Sequence, residues 1–157
     1  QQATDGSWPA GDALHAGNES LGEDVLRSTA YIATGLHRDG QAEGAVNQAL
    51  RYLRRNIGDT DDLYAVALAA NLFAEAAPED ALLTTLMNRL HEAGQSVSDD
   101  QMKWTFAGNS WTGARGGGTP GDVEMTGLVV QAFLQAFLLP PFYNSHETAE
   151  RAGSLFL

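Results

Sequence analysis

The side chains in this sequence that are able to do chemistry fall in three places. His15 lies in the loop Gly11-Asp12-Ala13-Leu14-His15-Ala16-Gly17, and an imidazole there acts as a base or nucleophile near neutral pH. Asp59-Thr60-Asp61-Asp62 crowds three carboxylates ahead of a helical run, where they serve either as an acid for a substrate or as helix caps. Asp122-Val123-Glu124-Met125-Thr126 puts two carboxylates into the first turn of another run, a placement that complements the positive end of a helix. Each has a plain structural alternative: a surface-loop histidine, a cap, and a helix-end charge. His37, His91 and His146 sit at helix ends without metal-ligand spacing. The chain has no cysteine, so disulfides, thiolate nucleophiles and zinc–thiolate sites are excluded within it. No cofactor and no metal are expected.

These residues are positioned by six stretches of helical periodicity, separated by breaks rich in Gly, Pro and Asp. The stretches run roughly from Glu23 to Arg38, Ala42 to Asn56, Asp62 to Ala76, Pro78 to Ala93, Asp122 to Leu138, and from near Ser145 to Leu157. A long loop covers about 94–121 and holds Trp104, Phe106, Trp111 and Gly116-Gly117-Gly118. The odd-numbered stretches are small and apolar nearly all round, whereas the even-numbered ones are amphipathic, as Ala49-Leu50-Arg51-Tyr52-Leu53-Arg54-Arg55 illustrates. That alternation predicts an all-α fold with inner and outer helices, an α/α-toroid of which about three hairpins are present. An α-solenoid is the competing layout. Residues 1–157 are read as one domain fragment, because the sequence opens on Gln1-Gln2-Ala3 and stops in a helical run at Leu157.

Composition narrows the function classes. Apolar residues at 43% are enough for a core, and charged residues at 18% are too few for a disordered acidic tail. A formal net charge of −11 disfavours nucleic acid and anionic membrane surfaces as partners. No apolar run approaches the roughly 18 residues of a membrane span, and no signal peptide is visible. The lack of cysteine leaves the redox compartment undetermined.

Taken in order, several segments resemble the thioester-containing domain of the alpha-2-macroglobulin and complement family. Gln2…Asp5-Gly6-Ser7-Trp8 is similar to that domain's Gln-x-x-Asp-Gly-x-Trp/Phe segment, in which the Gly turns the chain and the Trp packs over the preceding helix end. Leu26-Arg27-Ser28-Thr29-Ala30-Tyr31-Ile32-Ala33 resembles its Leu-Thr-Ala-Tyr/Phe-Val helix. Ala49-Leu50-Arg51-Tyr52-Leu53 resembles its Ala-Leu-x-Tyr-Leu helix, and Tyr64-Ala65-Val66-Ala67-Leu68-Ala69-Ala70-Asn71 its Tyr-x-x-Ala-x-x-Ala helix. Asp122-Val123-Glu124-Met125-Thr126 corresponds to Val-Glu-x-Thr-x-Tyr-Ala-Leu. The resemblance spans essentially the whole chain.

The resemblance implies a module that holds an internal thioester away from water and presents it to an amine or hydroxyl. In the family a Cys-Gly-Glu-Gln segment makes that bond; this sequence contains none, and in the family it lies upstream. In complement-like members a histidine after the Asp-Gly-x-Trp/Phe segment attacks the thioester, and His15 falls at that position to within about one residue. The implied setting is a secreted, cell-surface or periplasmic protease trap or opsonin. Its partners would be the parent's other domains, target proteases or cell surfaces, with self-association of the fragment as a further expectation. Turnover by the segment alone is not expected. Two alternatives stand beside this. Asp59-Thr60-Asp61-Asp62 also resembles the Asp-x-Asp-Asp motif of class II terpene cyclases, which implies a terpene-cyclase-like or prenyltransferase-like enzyme with a deep aromatic-lined cavity; aromatic residues here are only 8%. The other is a helical-repeat binding module using Trp104 or Trp111.

Overall fold

A computed structural model describes residues 1–9, 25–40, 42–99, 101–106 and 119–138. Among them the chain forms α1 (Val25–Asp39), α2 (Glu43–Asn56), α3 (Leu63–Ala76) and α4 (Ala81–Glu92), then strands β1 (Gln95–Ser98) and β2 (Gln101–Lys103), and finally α5 (Thr119–Leu138). The fold is all-α with one small hairpin, as the periodicity predicts. The expected sixth helix, from near Ser145, lies outside the described residues.

Local chemistry sets the helix ends. Asp62 caps α3 by accepting from the Tyr64 amide at 3.0 Å, and Asp80 caps α4 by accepting from the Leu82 amide at 3.0 Å. Gly40, at φ +73°, ends α1 in the left-handed conformation, its amide donating to the carbonyls of Leu36 and His37 at 3.2 and 3.1 Å. α5 begins at Thr119, three residues before the predicted start. Pro120 in its first turn fits, since an amide there has no partner within the helix to lose.

α3 is the hub. All of Tyr64 through Ala74 is buried, because α1, α4 and α5 all pack against it. α1, α3 and α5 make an inner layer with α3 in the middle, while α2 packs on α1 and α4 on α3 as outer helices. Leu53, Leu72, Phe73 and Leu86 are fully buried at the junctions, and such burial stabilises by about 1.5–3 kcal/mol per side chain. Small residues on α3 (Ala65, Ala67, Ala69, Ala70) let its neighbours approach closely.

Two expectations are corrected. The odd-numbered helices are not equally enclosed: α1 and α5 are buried on one face, leaving Tyr31, Val123 and Leu134 at 44%, 67% and 48% exposure. The reason is position, since among the described helices α3 alone has inner neighbours on both sides. The predicted long loop is not wholly irregular either. Its first part is an antiparallel hairpin pairing Gln95 with Lys103 and Ser96 with Met102, with a bulge between Ser96 and Ser98.

The opening segment folds as its Gly and Trp suggest, on helices that follow it rather than precede it. Gly6 adopts φ +97°, and a Cβ there would collide with the Gln48 carbonyl. Gln2 Nε2 donates to the carbonyls of Gly6 (3.0 Å) and Ala45 (2.9 Å), which ties the turn to α2. The buried Trp8 is held to α1: its amide donates to Thr29 Oγ1 at 2.9 Å, and its carbonyl accepts from Ser28 Oγ at 2.5 Å.

Candidate functional site

The three inner helices run parallel within one layer, so their N-terminal ends open on one face, here termed the mouth. Arg27 projects from the first turn of α1 and pairs through Nε with Asp62, the cap of α3, with side chains only 14% and 17% exposed. Its guanidinium carbon lies 5.2 Å from the Tyr64 ring centroid and 5.4 Å from that of Phe106, within cation–π range of both. The two rings meet edge to face at 5.2 Å. Tyr64 Oη donates to Glu124 Oε1 on α5 at 2.5 Å. Arg27, Asp62, Tyr64 and Glu124 thus join the starts of all three inner helices.

The segment after β2 completes this wall. The Trp104 amide donates to Thr126 Oγ1 at 3.1 Å, and the Phe106 amide donates to Asp122 Oδ1 at 2.9 Å. Trp104 Nε1 donates to the Leu90 carbonyl at 2.6 Å, and both aromatic side chains are buried. Trp104 is therefore a core residue and not a side chain offered to a partner, contrary to the binding-module expectation. Between these elements lies an open pocket of about 240 Å³, lined by Arg27, Asp61, Asp62, Tyr64, Phe106 and Met125 among others.

The Asp59-Thr60-Asp61-Asp62 stretch is held from behind. Arg89 of α4 donates to the carbonyls of Ile57 (3.1 Å), Gly58 (3.4 Å) and Thr60, and the Asp62 amide donates to Thr60 Oγ1 at 3.2 Å. Asp59 and Asp61 face solvent, while Asp62 serves as cap and ion-pair partner. Capping is the role this geometry gives the motif. The Asp122–Thr126 stretch does more than complement a helix dipole: all three of its polar side chains bond to another element.

Burial, reinforced by the bond to Glu124 and its negative charge, pushes the Tyr64 hydroxyl far above its usual range, with Arg27 opposing more weakly. Tyr64 therefore remains a proton donor and is no base near neutral pH. His15, the expected reactive residue, lies outside the described residues, as do Trp111 and His146. His37 and His91 stand in the last turns of α1 and α4. Among the described residues no group of three or more His, Asp or Glu is placed to hold a metal. Sequence reasoning missed Arg27 and Tyr64 as site residues. The available signal was a lone charge in the otherwise uncharged run from Val25 to Leu36.

Alternating inner and outer helices, with polar groups gathered where the inner helices begin, define a domain of the helical-hairpin ring class. The comparison with known families agrees. A family model described as the A-macroglobulin TED domain matches residues 1–151, and the chain belongs to that family of thioester-containing domains, whose fold is an α/α-toroid. The family is typically extracellular, and no helix among the described residues is long and apolar enough to cross a membrane. No curated protein matches the chain.

Proposed function

We propose that this chain shields an internal thioester and then presents it to a target, within a protease-trapping or opsonin-like protein, and that it has no turnover alone. The observation that carries the reading is the family match over residues 1–151. The convergence of three inner-helix starts on one face supports it. A thioester needs a cysteine and these residues include none, so the reading takes the bond from chain outside them.

The chemistry is an acyl transfer. A target amine or hydroxyl attacks the glutaminyl carbonyl carbon, the carbon–sulfur bond breaks, the sulfur leaves as thiolate and takes up the proton that the nucleophile loses, and the acyl group remains on the target. Negative charge develops first on the carbonyl oxygen and then on sulfur. The positive ends of α1, α3 and α5 favour both if the bond is held at the mouth. His15, which precedes α1 in the sequence, is assigned the attack that precedes transfer to a hydroxyl.

The partners under this reading are the parent's other domains, and target proteases or cell surfaces reached through the parent. Its setting is extracellular, cell-surface or periplasmic. The exposed Val123 and Leu134 of α5 and Tyr31 of α1 suit contact with the rest of the parent or a second copy. The test is methylamine treatment of the full-length protein. One methylamine incorporated and one thiol released per chain is the expected result, and neither would sink the reading. A His15→Ala protein should lose its preference for glycerol over methylamine; an unchanged preference removes His15 from the chemistry.

A further inference from the structure

We infer that Arg27 is the positioning residue of the mouth, setting how readily water competes with a target nucleophile for the thioester. This rests on the reading above. The side chain touches neither target nor bond in this account; it acts through the residues it braces. Its ion pair holds the Asp62 cap at the start of α3, and its guanidinium carbon lies within cation–π range of both Tyr64 and Phe106. Tyr64 passes the brace on to α5 through Glu124, and Phe106 does so through Asp122. Arg27 also forms part of the wall of the mouth pocket. Arg27 thus combines an ion pair to the cap of an inner helix with contacts to two aromatic rings.

The geometry separates two contributions that a substitution is able to split. Lysine retains a charge for Asp62, but its compact, strongly hydrated ammonium is less suited than the broad guanidinium to meet the carboxylate and two rings together. Loosening the rings lets the pocket breathe without removing the pair. Water, being small and abundant, gains more from a loosened wall than a bulkier nucleophile does. The far end of the inner layer offers a matched control, because Arg38 there pairs with Glu75 and lies outside the mouth.

The experiment uses the full-length protein as wild type, Arg27→Lys and Arg38→Ala, with thermal midpoints recorded for all three. Thiol release is followed in plain buffer and in methylamine, giving a ratio of hydrolysis to aminolysis. Arg27→Lys should raise that ratio about tenfold, the rate equivalent of losing one partly desolvated cation–π contact. Arg38→Ala should leave it unchanged. An unchanged ratio in Arg27→Lys overturns the inference, as does an equal rise in Arg38→Ala, which would mean that any loosening suffices. If the wild type releases no thiol in methylamine, the thioester reading itself fails; release by the wild type with an unmoved Arg27→Lys ratio removes only the role of Arg27.

Discussion

At the mouth, Arg27 joins Asp62 with both side chains largely withdrawn from water and aromatic rings around the guanidinium, whereas at the far end of the same layer Arg38 joins Glu75 with its own side chain 53% exposed. Both are Arg–carboxylate ties between α1 and α3. Gln135 adds α5 to the far-end tie by donating to Glu75 Oε1 at 2.5 Å, as Glu124 adds α5 at the mouth. The ties are alike in topology and unlike in surroundings. A pair screened by water contributes little, and a pair lodged among rings is costly to break from one side. The inner layer is therefore expected to be firm where its helices begin and softer where they end.

The largest test removes the buried tie. Arg27→Ala leaves the Asp62 carboxylate without its cation, and it should destabilise the fold by about 2–4 kcal/mol in urea unfolding. A loss below about 0.5 kcal/mol would show that the surroundings of the two pairs do not matter. Tyr64→Phe keeps the ring against Arg27 and deletes only the hydroxyl bonded to Glu124, so about 1 kcal/mol is expected. A double-mutant cycle with Glu124→Gln should show the two positions to be coupled.

At the far end, Arg38→Ala should cost less than about 1 kcal/mol, and the effect should fade in 1 M salt. The same pair predicts a pH dependence. The bond from Arg38, aided by its charge and by Gln135, holds the Glu75 carboxyl below its ordinary 4.5. A depressed folded value means that the unfolded chain binds the proton first. The contribution of Glu75 is thus complete above about pH 4.5 and is lost as pH falls through the folded value. Acid titration of stability should be shallower in Arg38→Ala than in wild type; coincident curves would remove this pair from the acid response.

How much of this was legible in the sequence follows from range. The Ala-rich run from Ala65 to Ala74 announced a helix covered on several sides, and the Asp59–Asp62 stretch announced a cap, because capping is settled within two residues. The Asp80 cap, two residues past the expected start at Pro78, was not read. The hairpin at 95–103 escaped notice because β1 is exposed throughout and lacks the alternation of a half-buried strand. The burial of Trp104 and Phe106 depends on α5, reached across the Gly-rich stretch, and no local pattern signals it. The mouth was least visible. Arg27 finds Asp62 at a distance of 35 positions, and Tyr64 finds Glu124 at 60, so both ties appear only once the helices are laid side by side. The one readable clue was a charge within a helix whose neighbouring residues are uncharged.

The most direct test of the account compares amide hydrogen exchange in the full-length protein before and after methylamine treatment. If the mouth is the working end, protection should fall in 25–28, 62–66 and 122–126 and stay constant in 36–40 and 74–77. Equal change at both ends, or change confined to the far end, would contradict it.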